Sequence, residues 1–243
     1  MHTYIDEAGP FIPTRNRCAV SCVGALVIRD TELSEITTKY QKLRDTWGLG
    51  PGEIKGRQLS EHHVSTLIKL LQDYDLIFEV TGIDMANQTE SAITSHRQNQ
   101  AEKLSTNMTD EHQESLRREV HARQLQLRKL PNQLYVQSVC YAELLYHTFQ
   151  KATMYHAQRY PTELEKFHWI VDAKNKNVTP FEELWRVLLL PILQTKSLKD
   201  PFDQLETGDY GALAKYCHSA TAPPRPSAES GARRWPFSFH RGQ

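Results

Sequence analysis

Three apolar, β-prone runs of the chain end in carboxylates. Tyr4-Ile5 leads into Asp6-Glu7 (YIDEAGP), Trp169-Ile170-Val171 leads into Asp172 (FHWIVDAK), and LIFEVTGID closes on Asp84. A further acid, Glu53, sits with Lys55 on a glycine-flanked segment, GPGEIKGRQL. A carboxylate at the end of a core strand is costly to bury unless something positive lies beside it, and in α/β sheets the carboxyl ends of strands are where ligands bind. Oxygens converging from Asp6 and Asp172 with Glu53 or Asp84 would suit a hard cation, Mg²⁺ or Mn²⁺. Two such ions about 4 Å apart stabilise the attacking and leaving oxygens of a phosphodiester displacement. Lys55 and Lys174 would then orient a phosphate. The same acids read as turn formers or helix caps, and a lysine beside them as a surface ion pair; spacing alone leaves both readings open.

The elements that must position these residues follow from periodicity. Thr3 to Asp6 reads as a short strand turned away by Gly9-Pro10, and Cys18 to Ile28 as a buried strand. Leu33, Ile36, Tyr40, Leu43 and Trp47 fall at helical spacing behind a cap at Asp30 or Thr31. Ser60 caps a second helix through about Tyr74, and Leu76 to Asp84 alternates as a third strand. From about 88 to 130 the text is polar and helix-favouring, an exposed helical insertion carrying Arg97, Arg117, Arg118, Arg123 and Arg128. Asn132 to His156 restores apolar periodicity, a long helix with one face in the core. After the Asp172 strand, Thr179-Pro180 starts a helix through about Leu193.

Lysine plus arginine, 29, equal aspartate plus glutamate, 29, so global charge gives no nucleic-acid footprint and only local clustering would. The arginines of the insertion offer such a cluster, to grip a nucleic-acid backbone or to form a solvated face. Four cysteines lack zinc-knuckle spacing and read as free thiols. No basic flank with an apolar core opens the chain and no run approaches about 20 apolar residues, so the expectation is a soluble protein in a reducing, cytoplasmic setting with no membrane partner. There is no Gly-rich phosphate loop, G-x-S-x-G elbow or H-E-x-x-H, and His62-His63 reads as a surface pair. Residues 217–243, rich in proline, serine, alanine and arginine, read as a disordered tail behind one domain over 1–216.

Taken together, YIDEAGP, VGALVI, EIKGRQLSE and QRYPTELEKFHWIVDAKNK followed by FEELWRVLLLPILQTKSL resemble the bacterial and phage domain-of-unknown-function family numbered thirty-eight hundred, whose members open with a strand ending Asp-Glu-Ser-Gly. Here Ala8 stands where that pattern has serine. The resemblance runs from about His2 to Tyr216 and implies an α/β, RNase H-like mixed sheet flanked by helices. It implies metal ligands at Asp6 and Asp172, then Glu53, with Glu7, Lys55 and Asp84 as further site residues, and a metal-dependent nuclease activity on RNA or DNA. Members usually continue past the segment corresponding to GDYGALAKY to a last strand and a helix whose aspartate completes the acidic cluster. The Pro/Arg/Ser-rich tail takes that place here, which implies a frameshifted or truncated member lacking one carboxylate, impaired in metal binding and low in solubility. Two other classes stay open: a non-catalytic nucleic-acid-binding or protein-interaction module, and a hydrolase of small nucleotides built on the same acids.

Overall fold

The structure, a computed structural model, describes residues 1–15, 19–50, 52, 54–172, 189–216 and 237–242. It is an α/β fold: a mixed sheet flanked by helices. The strands are β1 (His2–Ala8), β2 (Val20–Ile28), β3 (Ile77–Asp84), β4 (Phe167–Asp172) and β5 (Phe237–Gly242), and the sheet order is β3-β2-β1-β4-β5. β2 runs antiparallel to both neighbours, while β4 pairs in parallel with β1. The helices are α1 (Asp30–Thr46), α2 (Glu61–Leu71), α3 (Glu90–Lys103), α4 (Glu114–Lys129), α5 (Asn132–Arg159) and α6 (Leu190–Lys199).

Period-two alternation gives the sheet two unlike faces. Thr3, Ile5, Val23, Ala25, Val27, Phe167 and Trp169 are buried on the inner face. The outer face carries Tyr4, Asp6, Phe78 and Val80, with Phe78 70 % exposed. α5 lies against the inner side of β2 and β3 and also packs on α3 and α6. Being enclosed from several sides, it buries far more than the single face that its periodicity predicts: Gln137, Ser138, Thr148 and His156 are hidden alongside Tyr141, Leu144 and Leu145. Each such leucine contributes roughly 2 kcal/mol relative to an exposed one.

Most expected elements form within a residue or two of their predicted bounds, and Ser60 caps α2 by accepting the His63 N–H at 3.3 Å. α1 differs at its start. Its N-cap is Arg29, without a side-chain cap bond, and Asp30 is the first helical residue with its carboxylate turned to other partners. Cys22 and Cys140 are free thiols, as expected, with Cys140 buried. The helix predicted from Thr179 lies outside the described residues as far as 188; Leu190–Lys199 is helical. Phe237–Gly242 departs from the expectation of an unstructured tail, pairing in parallel with β4 from Phe167↔Phe237 to Asp172↔Gly242. The alternation of Phe237, Ser238 and Phe239 is the local signal for that strand, outweighed in composition by the residues before it. No helix among the described residues is long and apolar enough to cross a membrane.

Candidate functional site

The parallel pairing of β1 and β4 decides where the first two candidate acids stand. Its register runs His2↔His168, Thr3↔Trp169, Tyr4↔Ile170 and Ile5↔Val171. Asp6 and Asp172 are the next residue of each strand, so their backbones occupy neighbouring positions at the carboxyl ends of two adjacent parallel strands. Asp6 is exposed on the outer face, and its Oδ1 accepts the Glu7 N–H at 2.9 Å.

Glu7 points the other way, as the strand period demands. Its Oε2 accepts a hydrogen bond from the Tyr141 hydroxyl at 2.6 Å, tying the end of β1 to the middle of α5. Glu7 is therefore an inner-face residue, separated from Asp6 by the sheet itself.

Asp84 does not join Asp6. Opposite Asp6 lie Gly24 on β2 and then Val80 on β3; Asp84 is two strands across and four residues further on, about 16 Å away by strand geometry. Its carboxylate also has a local task. Oδ1 accepts the Ala86 N–H at 2.9 Å and Oδ2 the Asn87 side-chain amide at 2.6 Å, capping the short turn Met85–Asn87. The cap reading, one of the two left open for acids after strands, holds at this position.

Lys55 is exposed on the segment between α1 and α2, its N–H bonded to the Gln58 side chain at 2.6 Å. Glu53 and Lys174 lie outside the described residues.

The arginines of the helical insertion are engaged locally. Arg117 reaches Asp110 at 2.8 Å and Glu114 at 2.7 Å, Arg118 reaches Glu114 at 2.8 Å, Arg123 reaches Glu119 at 3.2 Å and Arg128 lies 3.6 Å from Glu102. Arg97 donates to the Leu130 carbonyl. Acids thus offset most of the positive charge that would face a phosphate backbone.

A second group of side chains gathers at the opposite end of the same strand pair. His2 and His168 stand side by side with ring centroids 4.7 Å apart and planes 15° from parallel. The Asp30 Oδ1 lies 3.1 Å from His2 Nε2 and 2.9 Å from the Met1 ammonium. Among the described residues these three are the group of His, Cys, Asp or Glu side chains whose ligand atoms lie within 4.8 Å of one another.

No family model, no curated protein and no solved structure matches the chain.

Burial lowers the pKa of His2, with the neighbouring His168 and the Met1 ammonium acting the same way and Asp30 and Glu163 opposing. The Asp30 carboxyl is also held below its ordinary range. Burial acts against that shift, and the hydrogen bond and charge of the Met1 ammonium outweigh it together with His2 and His168. Sequence reasoning missed this group, though a signal was present. HTYID and HWIVD share the pattern His-x-x-x-Asp. In a strand, residues four apart share a face, so parallel pairing in register brings like beside like at both ends.

Proposed function

We propose that the chain is a metal-dependent nuclease-like hydrolase of phosphodiester bonds in RNA or DNA, built on an RNase H-like fold, with Asp6 and Asp172 at the centre of its site. The observation that carries the reading is the β1–β4 register, which sets two aspartates at adjacent carboxyl ends of central parallel strands. The strand arrangement supports it too: β4 beside β1 in a mixed sheet is what the RNase H-like resemblance implies. Oxygen-only donors, with Asp6 exposed, fit Mg²⁺ or Mn²⁺ better than softer ions. Such an ion, when bound, would supply a water of lowered pKa and charge stabilisation at the phosphoryl oxygens.

Asp6 and Asp172 would hold the ion, with Glu53 as the third donor that the resemblance implies. Lys55, a further site residue that the resemblance implies, would contribute a positive charge for a phosphate. Asp84, as a turn cap, and Glu7, on the inner face, fall outside the metal set in this reading.

The test pairs binding with turnover. Mg²⁺ and Mn²⁺ are titrated by calorimetry into the protein and its Asp6→Asn variant, and both are assayed on single- and double-stranded RNA and DNA and on free nucleotides. Binding and cleavage should vanish in Asp6→Asn and persist in Asp84→Asn. A variant Asp6→Asn that cleaves as fast as the parent overturns the assignment, and turnover of nucleotides alone moves the substrate class from polymer to monomer.

A further inference from the structure

We propose that His2, Asp30 and His168 form a binding site for one divalent transition-metal ion, with Zn²⁺ the best fit to the donors, distinct from the acidic site at Asp6. Four facts carry it. The two imidazoles come from neighbouring register positions of β1 and β4, so the backbone holds them side by side on the outer face. Asp30 enters from the first turn of α1, with its Oδ1 3.1 Å from His2 Nε2. The three ligand atoms already lie within 4.8 Å of one another; a tetrahedral zinc with bonds of about 2.1 Å needs them about 3.4 Å apart, a closure that side-chain rotation supplies. His2 and His168 are half-buried and Asp30 is exposed, so an ion has both a low-dielectric wall and an entry path.

The donor set differs in kind from that at Asp6. Two imidazoles and one carboxylate suit zinc and its neighbours among the transition metals, whereas Mg²⁺ prefers oxygen alone. Asp6 is four residues from His2 along the same strand, about 13 Å away, so neither site shares a ligand with the other.

The Met1 ammonium is the feature to weigh against the proposal, since it sits 2.9 Å from Asp30 Oδ1. It is met by three acceptors: Asp30, Glu163 Oε2 at 3.1 Å and the Lys166 carbonyl at 2.8 Å. Two carboxylates, Asp30 and Glu163, thus face the single ammonium, an acidic balance that favours a dication. The ammonium also fixes the orientation of the Asp30 carboxylate, the part that an outer-shell partner plays around bound metals.

Such an ion would fasten β1, β4 and the start of α1 together, segments far apart in the chain, and three protein ligands leave a coordination position open to solvent. The experiment uses the untagged full chain in a non-chelating buffer. Zn²⁺ is measured by competition with a chromophoric chelator, Co²⁺ by the visible absorption of a tetrahedral site, and folding of every variant by circular dichroism. One saturable equivalent of zinc is expected, not displaced by excess Mg²⁺. His168→Gln, His2→Gln and Asp30→Asn should each weaken it at least about tenfold, while Asp6→Asn leaves it unchanged. Should His168→Gln fail to fold, the Asp30→Asn result decides. Absence of saturable zinc binding, affinity unchanged in the folded triad variants, or loss of zinc in Asp6→Asn alone would each overturn the proposal. None of these outcomes depends on nuclease activity, so the two sites stand or fall separately.

Discussion

His156 makes the fold sensitive to mild acid. It lies on α5 with 1 % of its surface exposed, and burial pushes its pKa down to about 4 from the ordinary 6.5. Glu163 and Asp75 pull upward, while the Met1 ammonium and Arg29 push with burial, and burial dominates. Its Nδ1 has no hydrogen-bond partner among the described residues. Between pH 6.5 and 4 the unfolded chain binds a proton that the folded protein refuses. The contribution is therefore intact above pH 6.5 and lost progressively as the pH falls toward 4. At about 1.36 kcal/mol per pH unit the loss reaches about 1.4 kcal/mol at pH 5.5 and about 2.5 kcal/mol at pH 4.5. Carboxylates titrate in the same range, so the informative quantity is a difference: urea unfolding of the parent and of His156→Gln at several pH values, subtracted point by point. The stability of the parent relative to the variant should fall by about 2.5 kcal/mol from pH 7.5 to 4.5. A difference that stays flat within about 0.5 kcal/mol, or that rises on acidification, refutes the reasoning.

Two further substitutions probe the frame around Asp6. Gly9 has φ +98°, and a Cβ there would meet Ser21 Oγ at 2.6 Å and its Cα at 2.8 Å. Gly9→Ala should cost at least about 2 kcal/mol in urea unfolding, since backbone must shift and Ser21 Oγ also accepts the Phe11 N–H at 2.9 Å; a neutral result would show that the turn after β1 is looser than its contacts indicate. Tyr141→Phe removes the hydroxyl that donates to Glu7. A bond to a carboxylate in this half-buried position is worth about 1.5–3 kcal/mol, so denaturant midpoints should shift accordingly while Mn²⁺ affinity at Asp6, on the other face, stays within about twofold of the parent.

The local pattern made most of the fold legible. The alternation of LIFEVTGID, the continuous apolar run of β2 and the Ser60 cap each name their element with little help from tertiary contacts. α5 reads as amphipathic because its periodicity records only where the largest apolar residues fall; its enclosure by sheet and helices together is a property of packing, and polar residues such as Thr148 and His156 carry no mark of it. The acids divide in the same way. Asp84 followed by Met-Ala-Asn looks in sequence like any acid after a strand, and only register separates its cap from the pairing of Asp6 with Asp172. The arginines of α4 read as a basic cluster because the acids that neutralise them lie three, four and seven residues away or on the neighbouring helix. The His2–Asp30–His168 group was hidden for a simpler reason: its members come from three separate segments, and only the repeated His-x-x-x-Asp hinted that two of them would meet.

The β1–β4 pairing also constrains how the molecule can be made. His2 and His168 are register partners although 166 residues separate them in the chain, and closing so long a loop is entropically unfavourable until many other contacts repay it. While the chain is being synthesised, β1, β2 and β3 can pair among themselves, but one edge of β1 stays open until the ribosome has released the residues of β4. Both proposed sites straddle that seam, so neither can assemble on a chain that lacks β4. A premature end anywhere before Phe167 would leave β1 open on one side, an edge prone to join another molecule instead of its own.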